Sequence, residues 1–99
     1  MIENDRIVDI AKNLSLKNDH KRIDLKGKIS LPGLCDAHVH VTAATPNFPE
    51  LMRWSPYYTT ARAGEILTNM LMRGFTTVRD AGGADFGLAR AVEERFLMG

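Results

Sequence analysis

His38 and His40 are the residues whose type and spacing point most directly to chemistry; they lie two apart in Leu31-Pro32-Gly33-Leu34-Cys35-Asp36-Ala37-His38-Val39-His40. In an extended strand, side chains two apart share a face, so both imidazoles can approach one metal ion. Neutral imidazole nitrogens bind zinc at about 2.0–2.1 Å, and one strand would provide two of the three or four ligands such an ion needs. Spacing alone is modest support, because three histidines over 99 positions fall two apart by chance about 6% of the time. The bland alternative is a pair satisfied by local carboxylates or carbonyls.

Other residues offer chemistry with two readings each. Asp36 lies one step deeper on the same face, and could either orient a histidine or fill a hydrogen bond at the floor of the fold. Arg79 and Asp80 precede Ala81-Gly82-Gly83; a local ion pair or turn anchor is one reading, a substrate contact the other. Those glycines lack the signature of a phosphate loop. Trp54, Tyr57 and Tyr58 either line a pocket for an apolar substrate or pack their loop down. His20 stands alone in a polar stretch and reads as a solvated surface histidine. Cys35 has no second cysteine to pair with and reads as a small buried residue.

The elements that must position these groups follow from periodicity and punctuation. Short strands are expected at Arg6 to Ile10, Arg22 to Leu25 and Lys28 to Leu31, with Ala11 to Lys21 as a polar connecting loop. Pro32-Gly33 ends that segment. Leu34 to Val41 is apolar on both faces, the pattern of a parallel strand covered on both sides, where three polar groups in line would cost several kcal/mol unless bonded. Thr42 to Tyr58 contains Pro46, Pro49 and Pro56 and reads as a long loop. Thr59 or Thr60 would cap a helix bearing Ala63, Ile66, Leu67, Met70 and Leu71, closed by Arg73 and the cap glycine Gly74. Phe75 to Val78 is a second buried strand, and Asp85 caps a final helix with Leu88, Ala91, Val92 and Leu97 inward and Arg90 paired with Glu94. The order from Gly33 is βαβα, which demands a parallel pair and a right-handed crossover. Ligand sites in such folds lie beyond the carboxyl ends of the strands, where His38 and His40 sit.

Composition bounds the rest. At 99 residues, 44% hydrophobic and 25% charged, the chain is at most one small globular domain with a modest core. A net charge of +1 gives no electrostatic footprint for nucleic acid or an acidic membrane surface. No run approaches the roughly 20 apolar residues that cross a bilayer, and Met1-Ile2-Glu3-Asn4-Asp5 lacks a signal-peptide pattern, so a cytoplasmic location is the default expectation.

Ile23-Asp24-Leu25-Lys26-Gly27-Lys28, then Leu31 to His40, resembles the opening of the metal-dependent amidohydrolase superfamily, and Gly74-Phe75-Thr76-Thr77-Val78-Arg79-Asp80-Ala81-Gly82-Gly83 resembles its second barrel strand. The nearest subgroup is that of imidazolonepropionase-like proteins, Xaa-Pro dipeptidases and an ochratoxin-hydrolysing amidase. This resemblance implies an α/β fold: residues 1–31 as part of a small β-sandwich, and 32–99 as the first two βα units of a (β/α)₈ TIM-type barrel. It implies a binuclear divalent metal centre, commonly zinc, in which His38 and His40 match the pair on the more buried ion. It further implies hydrolysis of a C–N bond in a small amide or dipeptide-like substrate by metal-activated water, and homo-oligomeric full-length relatives. The family's bridging lysine, two later histidines and final aspartate have no matching positions here. A whole barrel takes about 250 residues, so the chain reads as an N-terminal fragment. Two rivals accompany the hydrolase: a truncated segment without activity of its own, and a small metal-binding or interaction module that borrows a partner's ligands.

Overall fold

The computed structural model describes residues 1–15 and 20–99, so Leu16 to Asp19, within the expected polar loop, lie outside the described residues. The chain divides into two compact units, Met1–Ser30 and Leu31–Gly99.

In the first unit, β1 (Ile2–Glu3) and β2 (Arg6–Ile7) form an antiparallel hairpin with Ile2 opposite Ile7 and Glu3 opposite Arg6. Asn4 and Asp5, at φ 47° and 64°, have the positive φ that a tight two-residue hairpin turn requires, and both residue types tolerate it. The expected strand at 6–10 is thus shorter and is the second arm of a hairpin that begins four residues earlier. Residues 22–25 and 28–31 form no strand: a strand exists only where a neighbour completes its ladder, and none does so here. Lys26 and Gly27 make the turn between them, with the Lys26 N–H donating to Asp24 Oδ1 at 2.8 Å. Among the described residues of this unit none is buried.

The second unit holds the core. β3 (Leu34–Val39) pairs in parallel with β4 (Phe75–Asp80), Leu34 beside Phe75 and Val39 beside Asp80, with two breaks in register between. Between them run α1 (Phe48–Leu51) and α2 (Pro56–Met72), and α3 (Phe86–Glu93) follows β4. The expected long loop at 42–58 therefore contains a helical turn and the start of α2. Pro56 occupies the first helical position, where its missing N–H is not needed, and Ser55 caps the helix by accepting from the Tyr57 N–H at 3.3 Å. Thr59 and Thr60, expected as caps, lie inside α2 and return their hydroxyl hydrogens to the carbonyls of Ser55 and Pro56. Asp85 caps α3 through Oδ1, which accepts from the N–H groups of Gly87 and Leu88 at 2.9 and 3.1 Å.

Val41, Ala63, Leu67 and Leu88 are buried, with Val39, Ile66, Met70, Val78, Ala84, Val92 and Leu97 packed around them. A groove of about 350 Å³ adjoins this core, bordered by Leu67, Met70, Val78, Leu88 and Val92. The expectation that β3 is covered on both faces fails. Leu34 is 51% exposed and Cys35, expected to be buried, is exposed. Among the described residues the two strands are the whole of this sheet, and those side chains are left uncovered. At the amino end the strands approach closely: a Cβ on Gly33 would stand 1.9 Å from Thr76 Oγ1, and the Leu34 N–H donates to the Gly74 carbonyl at 2.8 Å.

Candidate metal centre

The carboxyl ends of β3 and β4 bring the candidate residues together. His38 is in β3 and His40 just beyond it, and their Nε2 atoms stand 3.3 Å apart with the rings crossing at 76°. His40 Nδ1 lies 2.9 Å from the Gly82 carbonyl oxygen. A carbonyl only accepts, so this contact calls for the proton on Nδ1, and in the neutral ring the lone pair then falls on Nε2, facing His38. Two nitrogens each about 2.05 Å from one tetrahedral ion lie about 3.3 Å apart. The observed separation matches that spacing, and it equally suits a hydrogen bond between the two imidazoles. Among the described residues no group of three or more His, Cys, Asp or Glu side chains is gathered to complete such a site.

Asp80, the last residue of β4, organises the surroundings. Its Oδ2 accepts from the Val41 N–H at 2.8 Å, and its Oδ1 accepts from the N–H groups of Gly82 at 2.8 Å and Ala84 at 3.4 Å. Burial pushes the pKa of this carboxyl upward most strongly, yet the opposing contributions, the three N–H donors first among them, outweigh it and hold the group below its ordinary range. Asp80 is thus a turn anchor. The Ala81 N–H extends the ladder to the Val39 carbonyl at 2.9 Å. Gly83, at φ 113°, passes so near the other strand end that a Cβ there would lie 2.1 Å from Thr42 Oγ1.

The remaining candidates occupy other places. Asp36 Oδ1 accepts from the backbone N–H of His38 at 3.0 Å and so braces the main chain rather than an imidazole. Arg79 donates to the Ala37 carbonyl at 3.4 Å, tying β4 to β3, instead of pairing with Asp80. Trp54 packs edge-on against Tyr58, centroids 4.7 Å apart, with the Arg62 guanidinium 6.0 Å above the Trp54 ring and donating to the Tyr58 hydroxyl at 3.4 Å. Tyr57 is 88% exposed. His20 approaches Glu3 at 3.6 Å within the first unit. Sequence reasoning missed the Gly82 carbonyl, because a main-chain acceptor leaves no mark in side-chain patterns; its one trace is the Asp-x-Gly-Gly order, which suits a carboxylate-anchored turn.

Residues 29–99 match the model of the amidohydrolase family. The chain belongs to that family. Among curated relatives, this amidohydrolase chain is 50% identical over 40 residues to a dihydroorotase of Lactococcus lactis subsp. lactis (strain IL1403), covering 40% of the chain and 9% of that protein. It is 43% identical over 42 residues to a 5'-deoxyadenosine deaminase of Methanobrevibacter smithii (strain ATCC 35061 / DSM 861 / OCM 144 / PS), covering 42% of the chain and 10% of that protein. Among solved structures it resembles an amidohydrolase with a TM-score of 0.80 and 44% identity, over 89% of the chain and 21% of that structure. It also resembles a prolidase crystallised with N-methylphosphonate-L-proline, with a TM-score of 0.76 and 41% identity, over 96% of the chain and 22% of that structure. The chain spans about a tenth of the length of these curated relatives and about a fifth of the solved ones. No helix among the described residues is long and apolar enough to cross a membrane.

Proposed function

We propose that this amidohydrolase chain provides two ligands of a divalent metal, zinc by the chemistry of paired imidazoles, for hydrolysis of a C–N bond in a small amide or dipeptide-like substrate. The observation that carries the reading is the 3.3 Å separation of the two Nε2 atoms, together with the Gly82 carbonyl at His40 Nδ1, which favours the neutral tautomer with a free Nε2. In this reading β3, β4 and their helices are the first two βα units of a barrel, with the histidines on its catalytic face. When bound, the ion makes water nucleophilic near neutral pH and polarises the scissile carbonyl. His38 and His40 hold and orient; neither moves a proton. The Asp80 turn holds the Gly82 carbonyl against His40, and Asp36 braces the main chain at His38. Trp54, Tyr57 and Arg79 remain candidates for substrate contact. The prolidase neighbour, solved with a proline phosphonate, supports the dipeptide-like class, while the dihydroorotase and deaminase relatives support C–N chemistry more broadly.

The experiment is a zinc titration of the chain followed through the imidazole resonances. Zinc should perturb His38 and His40 together and leave His20 unmoved, and the His38→Ala/His40→Ala variant should lose the response. Zinc-insensitive His38 and His40 would overturn the proposal. A second reading, that these residues alone hydrolyse nothing, is favoured because among the described residues no third ligand joins the pair. Replacing the matching fifth of the solved amidohydrolase with this chain separates the two: metal content and hydrolysis retained in the chimera, with none in the chain alone, assigns it the role of ligand donor.

A further inference from the structure

We infer that Asp80 is a positioning residue that sets the tautomer of His40, acting through the backbone of the Ala81–Ala84 turn; the inference rests on the metal-ligand reading of His40. Three links support it. His40 Nδ1 can be held protonated only by an acceptor at a fixed place, and that acceptor is the Gly82 carbonyl at 2.9 Å. The peptide that precedes this carbonyl is pinned by its own N–H, which donates to Asp80 Oδ1 at 2.8 Å. The opposite oxygen of the same carboxylate takes the Val41 N–H, one residue beyond His40, at 2.8 Å.

One carboxylate therefore grips both partners of the His40–Gly82 hydrogen bond, from the main-chain side of each. Without it the turn can retreat from His40, and imidazole is free to place its proton on Nε2, the atom that must stay bare to bind an ion. Asp36, the other acid nearby, cannot substitute, because it holds only the His38 N–H. The spacing of the turn is also constrained from the far side by Gly83, which leaves no room for a side chain against Thr42.

The test is metal-free: two-bond ¹H–¹⁵N correlation of the three imidazoles in the full chain above the histidine titration range, with assignments from His20→Gln, His38→Gln and His40→Gln. In the parent, His40 should show a protonated Nδ1 and a bare Nε2. Asp80→Ala should lose that preference, Asp80→Asn should retain an intermediate population because one acceptor oxygen remains, and Arg90→Ala, which removes an exposed pair with Glu94 away from the turn, should leave the tautomer unchanged. A proton on Nε2 of His40 in the parent overturns the inference, as does an unchanged tautomer in Asp80→Ala. If Asp80→Ala loses its dispersed amide spectrum, Asp80→Asn decides: parent-like His40 signals overturn the inference. Zinc affinity at the pair should fall about 10–100-fold in Asp80→Ala. A parent with the expected tautomer but no zinc response sinks the functional reading and leaves the Asp80–His40 link standing.

Discussion

The two ends of the β3–β4 pair share a close glycine–threonine approach but differ in what is added to it. At the amino end the strands close by contact: Gly33 has no side chain because Thr76 occupies that space, and one main-chain hydrogen bond, Leu34 to Gly74, completes the ladder. At the carboxyl end a single charged group, Asp80, gathers three N–H donors, one from Val41 just beyond β3 and two from the turn between β4 and α3. Close contact occurs at both ends, through Gly33 against Thr76 and Gly83 against Thr42, but only the carboxyl end adds a carboxylate with several donors. The difference teaches where geometry is negotiable: a contact excludes a wrong arrangement, whereas a carboxylate with several donors aims particular atoms, and ligands require aiming.

The largest expected effect breaks the amino end. Gly33→Val forces atoms into Thr76 and should cost about 3 kcal/mol, the upper range for overpacking, read from the urea midpoint by Trp54 fluorescence. Thr76→Gly in the same chain should restore part of it, and no restoration would show that the ends are not held as described. Next, Leu67→Ala weakens the core shared by both ends by about 2 kcal/mol, the low end for such truncations, because the adjoining groove means little new cavity is created. The aimed end is sharpened by pH. Asp80 has its pKa depressed in the fold, so its contribution to stability is present above its unfolded value of about 3.8 and is lost as pH falls below that. Asp80→Asn should therefore flatten the acid limb of the stability profile, and an unchanged limb would deny the carboxylate its anchoring role. Smallest is Arg90→Ala, which removes an exposed pair with Glu94 remote from both ends and should cost no more than about 0.5 kcal/mol in thermal unfolding.

The βαβα order, the Asp85 cap and the inward positions Ala63, Leu67 and Leu88 are legible in the sequence because each depends on neighbours within a turn or two. The α2 start is hidden by the cluster Pro46, Pro49 and Pro56, which reads as loop, although Ser55-Pro56 carries the cap and first-turn proline of a helix start. The exposure of Cys35 and Leu34 is not legible: an apolar run announces that a strand suits burial, not that a layer lies over it. At the site, the histidine pair is visible as a local pattern. Its support is not, since Asp80 and Gly82 meet Val41 and His40 across about forty residues of chain and partly through main-chain atoms.

That separation bears on the order in which the molecule can assemble. A zinc finger peptide can recruit its ion early, because its ligands are close in the chain and the ion itself drives folding. Here the proton on His40 is placed by a residue 42 positions away, so the crossover of β3, α2 and β4 must close, with its full loop entropy, before Nε2 is reliably bare. The ion would arrive as a late passenger in a frame already built, and a chain that fails to close its crossover would present two ordinary histidines.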